Sequence, residues 1–296
     1  MNSQHVSHYR ILRKLGEGAM GEVYLAQDTV LNRYVAVKLL PKQYTRDPER
    51  LHRFHQEAQV ASVLNHPNVL TIHEVGQQED LHFIVTEFVD GETLRIKLNG
   101  GALDVSESLR IAMGIAQALQ AAHEFWIVHR DIKPENVMIR KDGWVKVLDF
   151  GLAKLNEPKL LAGGKAMFVT SPGMVPGSVR YVAPERLRGE AADPRSDLFS
   201  LGVVIYEMLT GDSPFATTSL IESIEAILRA TPPPIADRRA GLPDELQPML
   251  NKLLAKEPIA RYQTTAELVS DLKDIVAVFD YDETTNRRRR RPSPAG

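Results

Sequence analysis

The period of the apolar positions changes partway along the chain. Over the first 90 residues or so they come as short runs rich in β-branched and aromatic residues, each bounded by turn formers. These runs are Tyr9 to Leu15, Glu22 to Ala26, Tyr34 to Leu40, Val69 to Val75 and Leu81 to Glu87, and they predict strands. One helix interrupts them. Asp47 suits an N-cap and Pro48 the first helical position; Leu51, Phe54, Ala58, Ala61 and Leu64 then recur at helical spacing until His66-Pro67-Asn68 ends the pattern.

Past Asp90-Gly91 the texture is that of long helices. Ser106 is a candidate cap for a helix that turns Leu109, Ala112, Ala116, Leu119 and Trp126 inward, and further helices are expected near Ser196 to Thr210, Thr218 to Arg229, Asp244 to Ala255 and Thr265 to Phe279. From Leu155 to Pro184 the chain is rich in Gly, Pro, Ser and Thr without a period, and a loop of that length in a compact domain is functional or mobile. The segment from Asp280 onward reads as disordered. The expected fold is α+β and bilobal: a small antiparallel β lobe with one key helix, a connector, and a larger, mainly α-helical lobe. A cleft between two lobes is a natural place for a ligand.

Composition narrows the chemistry. The chain has 296 residues, 43% hydrophobic and 25% charged, enough to bury a core. It has no cysteine, which excludes disulfides, thiolate metal sites and a cysteine nucleophile and fits a reducing compartment. The net charge of −2 hides an asymmetry: Arg287–Arg291 are five consecutive arginines, and without them 31 basic residues face 38 acidic ones, a net −7. A nucleic-acid-binding body is not expected. No run reaches the roughly 18 apolar residues of a membrane span, and the first residues lack the regions of a signal peptide, so the expectation is a soluble cytoplasmic chain. The arginine run has three readings: a solvated tail, the cytoplasmic flank of a membrane span in a longer protein, or a contact for acidic partners.

The polar residues that break these patterns carry the function. Gly16-Glu17-Gly18-Ala19-Met20-Gly21 is a G-x-G-x-x-G run that continues into a strand, Glu22 to Ala26, rather than a helix. That makes it a hairpin cap able to bring backbone N–H groups close to phosphates rather than a dinucleotide-binding turn; alone, it is also a plain glycine turn. Lys38 lies among apolar neighbours in Val35-Ala36-Val37-Lys38, where an ammonium needs a carboxylate or a phosphate. Glu57, on the border of the helix's apolar face, is the candidate carboxylate. In His129-Arg130-Asp131-Ile132-Lys133-Pro134-Glu135-Asn136, Asp131 can accept a proton from a hydroxyl nucleophile, and Lys133 can neutralise a transferring phosphoryl group. Asn136 and, thirteen residues later, Asp149 of Asp149-Phe150-Gly151 offer the hard oxygens that suit Mg²⁺.

In this order the elements resemble the eukaryotic-type (Hanks-type) serine/threonine protein kinases, and Gly-Glu-Gly-Ala-Met-Gly-Glu-Val-Tyr-Leu-Ala resembles their bacterial branch. Ala183-Pro184-Glu185 then closes the activation segment, and the likeness runs from about Tyr9 to Phe279. It implies a catalytic domain over residues 9–279, divided into an N-lobe (9–86), a hinge (87–91) and a C-lobe (92–279), with an extension at 1–8 and an Arg-rich tail at 280–296. It also implies ATP as substrate, Mg²⁺ as cofactor and protein Ser/Thr hydroxyls as acceptors. Gly16, Gly18 and Gly21 would cover the phosphates; Lys38, paired with Glu57, would hold the α- and β-phosphates. Asp131 would be the catalytic base with Lys133 beside the γ-phosphate, a lysine that resembles the Ser/Thr rather than the tyrosine branch. Asn136 and Asp149 would bind the metal. Val23, Ala36 and Met138 match the adenine-sandwiching positions, the Glu87 carbonyl and Val89 amide the hinge contacts, and Thr86 the gatekeeper, where bacterial relatives often carry a larger residue.

For regulation, the likeness implies that Arg130 pairs with a phosphate on Thr170 or Ser171. Thr170 has the spacing of autophosphorylated relatives, whereas Pro172 makes Ser171 a proline-directed candidate. Ser178 stands where threonine is usual and would bridge Asp131 and Lys133. A homodimer for trans-autophosphorylation is a possible partner state. Asp197 resembles the anchor of the catalytic loop and Arg261 the partner of Glu185. A pseudokinase scaffold would have lost Lys38, Asp131, Asn136 or Asp149, and a small-molecule kinase would not need the complete segment that docks peptides. Glu135 carries a further, weaker expectation, a preference for basic residues near the target hydroxyl.

Overall fold

The structure, a computed structural model, describes residues 5–18, 21–41, 51, 58, 62–150 and 176–289. The small lobe is built on an antiparallel sheet of β1 (His5–Val6), β2 (Tyr9–Gly18), β3 (Gly21–Asp28), β4 (Arg33–Leu39), β5 (Ile72–Gln78) and β6 (Leu81–Glu87), in the order β1-β2-β3-β4-β6-β5. Alternation along the strands gives the sheet two faces. Val35, Val37, Phe83 and Val85 join Val6, Tyr9 and Ala26 in one core. On the other face Ile84 packs with Leu40 and with Ala58 of the expected helix.

Two details differ from the sequence reading. Strand pairing starts at His5, with Val6 opposite Tyr9, so part of the stretch read as an extension is sheet. The strand expected from Val69 begins instead at Ile72, because residues 68–70 pair across the lobes: Leu70 N donates to Val147 O (3.0 Å) and Val147 N to Asn68 O (2.8 Å).

The second sheet, β7 (Gly91–Thr93), β8 (Val137–Arg140) and β9 (Val145–Val147), lies in the helical lobe. Its helices are α1 (Leu94–Leu98), α2 (Val105–His123), α3 (Pro184–Leu187), α4 (Pro194–Thr210), α5 (Leu220–Arg229), α6 (Leu246–Leu253) and α7 (Thr265–Arg289). Leu109, Ala112, Ala116 and Leu119 of α2 are buried as expected. The cap is Asp104, whose side chain accepts from Ser106 N (2.9 Å), rather than Ser106. Trp126 is not inward: it is 84% exposed. The helix closes in a Schellman motif, Trp126 N to His123 O (2.9 Å) and Ile127 N to Ala122 O (3.0 Å), which puts Trp126 at φ +59° and hands the apolar contact to Ile127.

Helix α4 is buried from Ser196 through Leu209 and opens with a capping box of Asp193 and Ser196. It lies so close to α6 that a Cβ on Gly202 would come within 2.7 Å of Leu253 Cβ. Helix α7 runs to Arg289, ten residues past the expected end and through part of the segment read as disordered. No Gly or Pro interrupts it before Pro292.

Candidate active site

The register places Val23 opposite Lys38, Leu25 opposite Ala36, Ala36 opposite Thr86 and Lys38 opposite Ile84. Val23, Ala36, Lys38 and Thr86 therefore share the face of the small sheet that looks away from its core. The glycine run is the expected hairpin: Gly16 pairs with Val23 and Gly18 with Gly21. Gly21 sits at φ +116°, where a Cβ would fall 1.9 Å from the Leu39 carbonyl oxygen, so a side chain has neither the angle nor the space. Lys38, 14% exposed, does meet a carboxylate: its Nζ donates to Asp149 Oδ2 at 2.8 Å. Glu57 lies outside the described residues.

In the connector, Thr86 and Glu87 end β6, and Val89 is buried at 7% exposure. Met138 lies in β8. The Glu87 side chain turns back into the protein, accepting from Thr71 N (2.8 Å) and from Lys146 Nζ (2.6 Å), while Lys146 also donates to Val69 O (3.1 Å). Burial pushes the Glu87 carboxyl up, but its bonds to Lys146 and Thr71 bring it below the usual range.

The loop from His129 to Asn136 is organised around one carboxylate. Asp131 Oδ2 takes both Lys133 Nζ (2.7 Å) and Asn136 Nδ2 (2.9 Å), and among the described residues no hydrogen bond engages Oδ1. Asn136 Nδ2 also donates to Asp131 O (2.8 Å), so the amide oxygen is left for a ligand. Leu148 N donates to Asn136 O at 2.9 Å, which brings the strand end carrying Asp149 alongside Asn136. One amide oxygen and one carboxylate, with no cluster of three or more His, Cys, Asp or Glu among the described residues, fit Mg²⁺. That ion keeps waters and takes few protein ligands.

Two residues near the chemistry adopt the left-handed region without being glycine, Arg130 at φ +70° and Asp149 at φ +56°, a conformation that needs support from its surroundings. Arg130 N donates to Asp197 Oδ1 and His129 N to Asp197 Oδ2, both at 2.7 Å, as the sequence anticipates. Asp197 is further held by His123, whose Nε2 lies 2.9 Å from Oδ2 and whose Nδ1 lies 2.6 Å from Thr265 Oγ1. Burial raises the Asp197 carboxyl, but the His123 bond and the Arg130 amide outweigh it, and the group stays below its ordinary value. His129 accepts at Nδ1 from Asp131 N (3.2 Å), so Nε2 carries the proton given to Leu148 O (2.7 Å). Its ring meets Phe150 edge-on at 4.7 Å. Burial likewise raises Asp149, and the charge and hydrogen bond of Lys38, with Lys133 beyond, more than reverse it.

Glu185 and Arg261 form the expected buried pair, with Nη2 to Oε2 at 2.7 Å and Nη1 to Oε1 at 2.8 Å. Thr170 and Ser171 lie outside the described residues. Ser178 falls in the 3₁₀ turn Pro176–Tyr181, its side chain outside what is described. A cavity of about 1380 Å³ lies away from all these groups, between α2, the β8–β9 hairpin and α7, walled in part by Met113, Trp144 and Phe279.

The family described as the protein kinase domain matches residues 9–272, a span containing every group above. The chain belongs to this family. It is 38% identical over 281 residues to the serine/threonine-protein kinase PrkC of Bacillus subtilis, covering 95% of this chain and 42% of the relative. To the serine/threonine-protein kinase PknB of Mycolicibacterium smegmatis it is 42% identical over 275 residues, covering 91% and 43%. The chain thus spans less than half the length of these relatives. Among solved structures it resembles the kinase domain of Mycobacterium tuberculosis PknI, with TM-score 0.71, 27% identity, and 93% of this chain and 98% of that one covered. The kinase fold expected from the sequence, a β lobe and a helical lobe, is the fold observed.

Two supports of the candidate site escaped the sequence reading: His123 and Lys146. Lys146 had a signal, a lysine inside the buried strand Val145–Val147. His123 sits at an ordinary helical position and had none.

Proposed function

We propose that this kinase domain transfers the γ-phosphate of ATP to Ser and Thr hydroxyls of proteins. The observation that carries the reading is the Asp131 carboxylate, its Oδ2 engaged by Lys133 and Asn136 and its Oδ1 without a partner among the described residues, next to an Asp149 drawn toward Lys38. Asp131 Oδ1 takes the proton of the acceptor hydroxyl as its oxygen bonds to the γ-phosphorus. The bond from that phosphorus to the β-phosphate bridge breaks, and ADP leaves. Lys133 offsets charge on the transferring group and Lys38 orients the α- and β-phosphates. Asn136 and Asp149 would hold Mg²⁺, which supplies charge neutralisation at the phosphate oxygens.

Val23, Ala36 and Met138 would enclose adenine, with Thr86 behind it and the Glu87 carbonyl and Val89 amide at its edge. Gly16, Gly18 and Gly21 leave room for phosphates against the backbone. The catalytic unit is taken as residues 9–279. Activation through phosphate on Thr170 or Ser171, read by Arg130, in a homodimer acting in trans, belongs to the same proposal, as does Ser178 bridging Asp131 and Lys133. So does a cytoplasmic setting, where ATP is found. Among the described residues no helix is long and apolar enough to cross a membrane. A nucleotide-binding scaffold without transfer would lack Lys38, Asp131, Asn136 or Asp149, and all four are present.

Labelled ATP with Mg²⁺ and a generic protein substrate tests the reading. Asp131→Asn and Asp149→Ala should lower incorporation by about 10²–10⁴-fold. Equal incorporation by wild type and both variants would overturn it.

A further inference from the structure

Arg95, in α1 directly after the connector, holds three groups at once. Its Nε donates to Glu135 Oε1 (2.8 Å), its Nη1 to Glu207 Oε1 (2.8 Å) and its Nη2 to the Tyr181 hydroxyl. The Tyr181 hydroxyl in turn donates to Glu207 Oε2 (2.5 Å). Both oxygens of Glu207 and one of Glu135 are therefore engaged. Burial, then the Glu207 charge, push the Tyr181 hydroxyl well above its usual range, so it remains a donor at neutral pH. The cluster opens to solvent on one side: the Glu207 side chain is 9% exposed, Arg95 30% and Glu135 46%.

The position of this cluster gives it a meaning. Glu135 stands in sequence between Lys133 and Asn136, the residues that grip the Asp131 carboxylate. Tyr181 ends the turn that precedes Pro184 and Glu185. The recess thus borders the place where an acceptor hydroxyl must reach Asp131. Two carboxylates converging there form a receptor for a guanidinium or ammonium group on the substrate; the sequence suggests a preference for basic residues from Glu135 alone. Arg95 alters that expectation. A guanidinium presents a rigid fork of donors matched to carboxylates, and here the fork that fills the receptor belongs to the kinase itself.

We propose that Arg95 is a specificity-determining residue, occupying the acidic recess of Glu135 and Glu207 beside the acceptor site and so removing the selection for basic substrates that this recess would otherwise impose. The inference rests on the kinase reading above. A substrate arginine arriving at the recess must displace an internal one, exchanging one set of charge-assisted bonds for another, and it meets a like charge while doing so. What remains open to it is the second oxygen of Glu135, on the exposed side, where water and salt weaken the attraction.

The test is a set of peptides with one Ser or Thr in which Arg, Ala or Glu is placed at each flanking position in turn. The readout is the ratio of kcat/KM values between peptides within each enzyme, so that changes in overall rate cancel. Wild type should be nearly flat, within about threefold for Arg over Ala. Arg95→Gln should raise that ratio by about tenfold at one flanking position, and adding Glu135→Gln should remove much of the gain. Because Arg95 bridges several elements, thermal melting of each variant is recorded alongside. Should Arg95→Gln not fold, Glu135→Gln, altered on the exposed side, decides instead by a severalfold shift toward Glu-containing peptides. A strong Arg preference in wild type overturns the inference. So does an active, folded Arg95→Gln with a flat profile, or, where that variant does not fold, an unshifted Glu135→Gln. Absence of transfer by wild type to any peptide or to itself strikes the proposed function instead, and the inference with it.

Discussion

The two lobes bury their side chains differently. The small lobe is a sheet with unequal faces: Val35, Val37 and Val85 on one are fully buried, while on the other Ile84 is covered but Val23, Ala36, Lys38 and Thr86 are only half-buried. The large lobe has no such asymmetry at its centre, where α4 is enclosed on every side from Ser196 to Leu209. The group proposed to take the proton and its supports belong to the enclosed lobe, tied to α4 through Asp197. The group expected to hold the nucleotide phosphates belongs to the open face. Positioning that must not drift is thus attached to the interior, and positioning that must admit a ligand is left at an edge.

Substitutions can break or sharpen that contrast. The largest effect on stability is expected in the large lobe. Glu185→Ala strands Arg261, which is fully buried at 0% side-chain exposure, and should cost about 3–5 kcal/mol in urea unfolding; a loss below about 1 kcal/mol would show that the interior tolerates what it encloses. The same pair sets a pH response. Burial raises the Glu185 carboxyl, and Arg261 and Ser196 pull it below its usual 4.5. A depressed folded value stabilises above the unfolded one and is lost as pH falls through it. The stability gap between wild type and Glu185→Gln should therefore narrow progressively below about pH 4.5.

At the open face the ordering reverses. Lys38→Met should reduce phosphate transfer at least about 100-fold while unfolding free energy moves by less than about 1 kcal/mol. A comparable drop in stability would mean that the bridge from Lys38 to Asp149 supports the fold as well as the chemistry. Thr86→Met should weaken inhibitors that need a small residue behind adenine by about tenfold, with melting little changed, and equal affinity would place Thr86 away from the pocket. Smallest is Thr265→Val, which removes one hydrogen bond to His123. About 1 kcal/mol of stability should be lost, with a modest fall in transfer rate that Thr265→Ser restores; no change in either would make His123 a spectator of Asp197.

How much of this was legible in the chain depended on distance along it. The glycine hairpin and the juxtaposition of Asp131, Lys133 and Asn136 could be read because the polar residues concerned lie in close succession. The strands could be read from short runs of β-branched and aromatic residues between turn formers. Helix ends were harder. Asp104 and Ser106 are both good caps, and only the hydrogen bond to Ser106 N decides between them. A tryptophan in the left-handed position of a Schellman motif defeats a reading that counts every large apolar residue as inward. Pairings of remote residues left no trace: Lys146 and Glu87 are 59 positions apart, His123 and Asp197 74, Arg95 and Glu207 112. Each is an ordinary polar residue until the fold closes around it.

The hold of Asp197 on the catalytic loop has a consequence for exchange with solvent. Amides in irregular loops ordinarily trade hydrogen for deuterium quickly, because opening them disturbs little else. Those of His129 and Arg130 donate to a carboxylate with no exposed surface, at the head of the most enclosed helix. Their deuterium uptake should run as slowly as that of α4 itself, while the neighbouring Trp126 amide exchanges at the rate of a fraying helix end. By that clock, the loop proposed to handle the proton belongs to the interior of the protein.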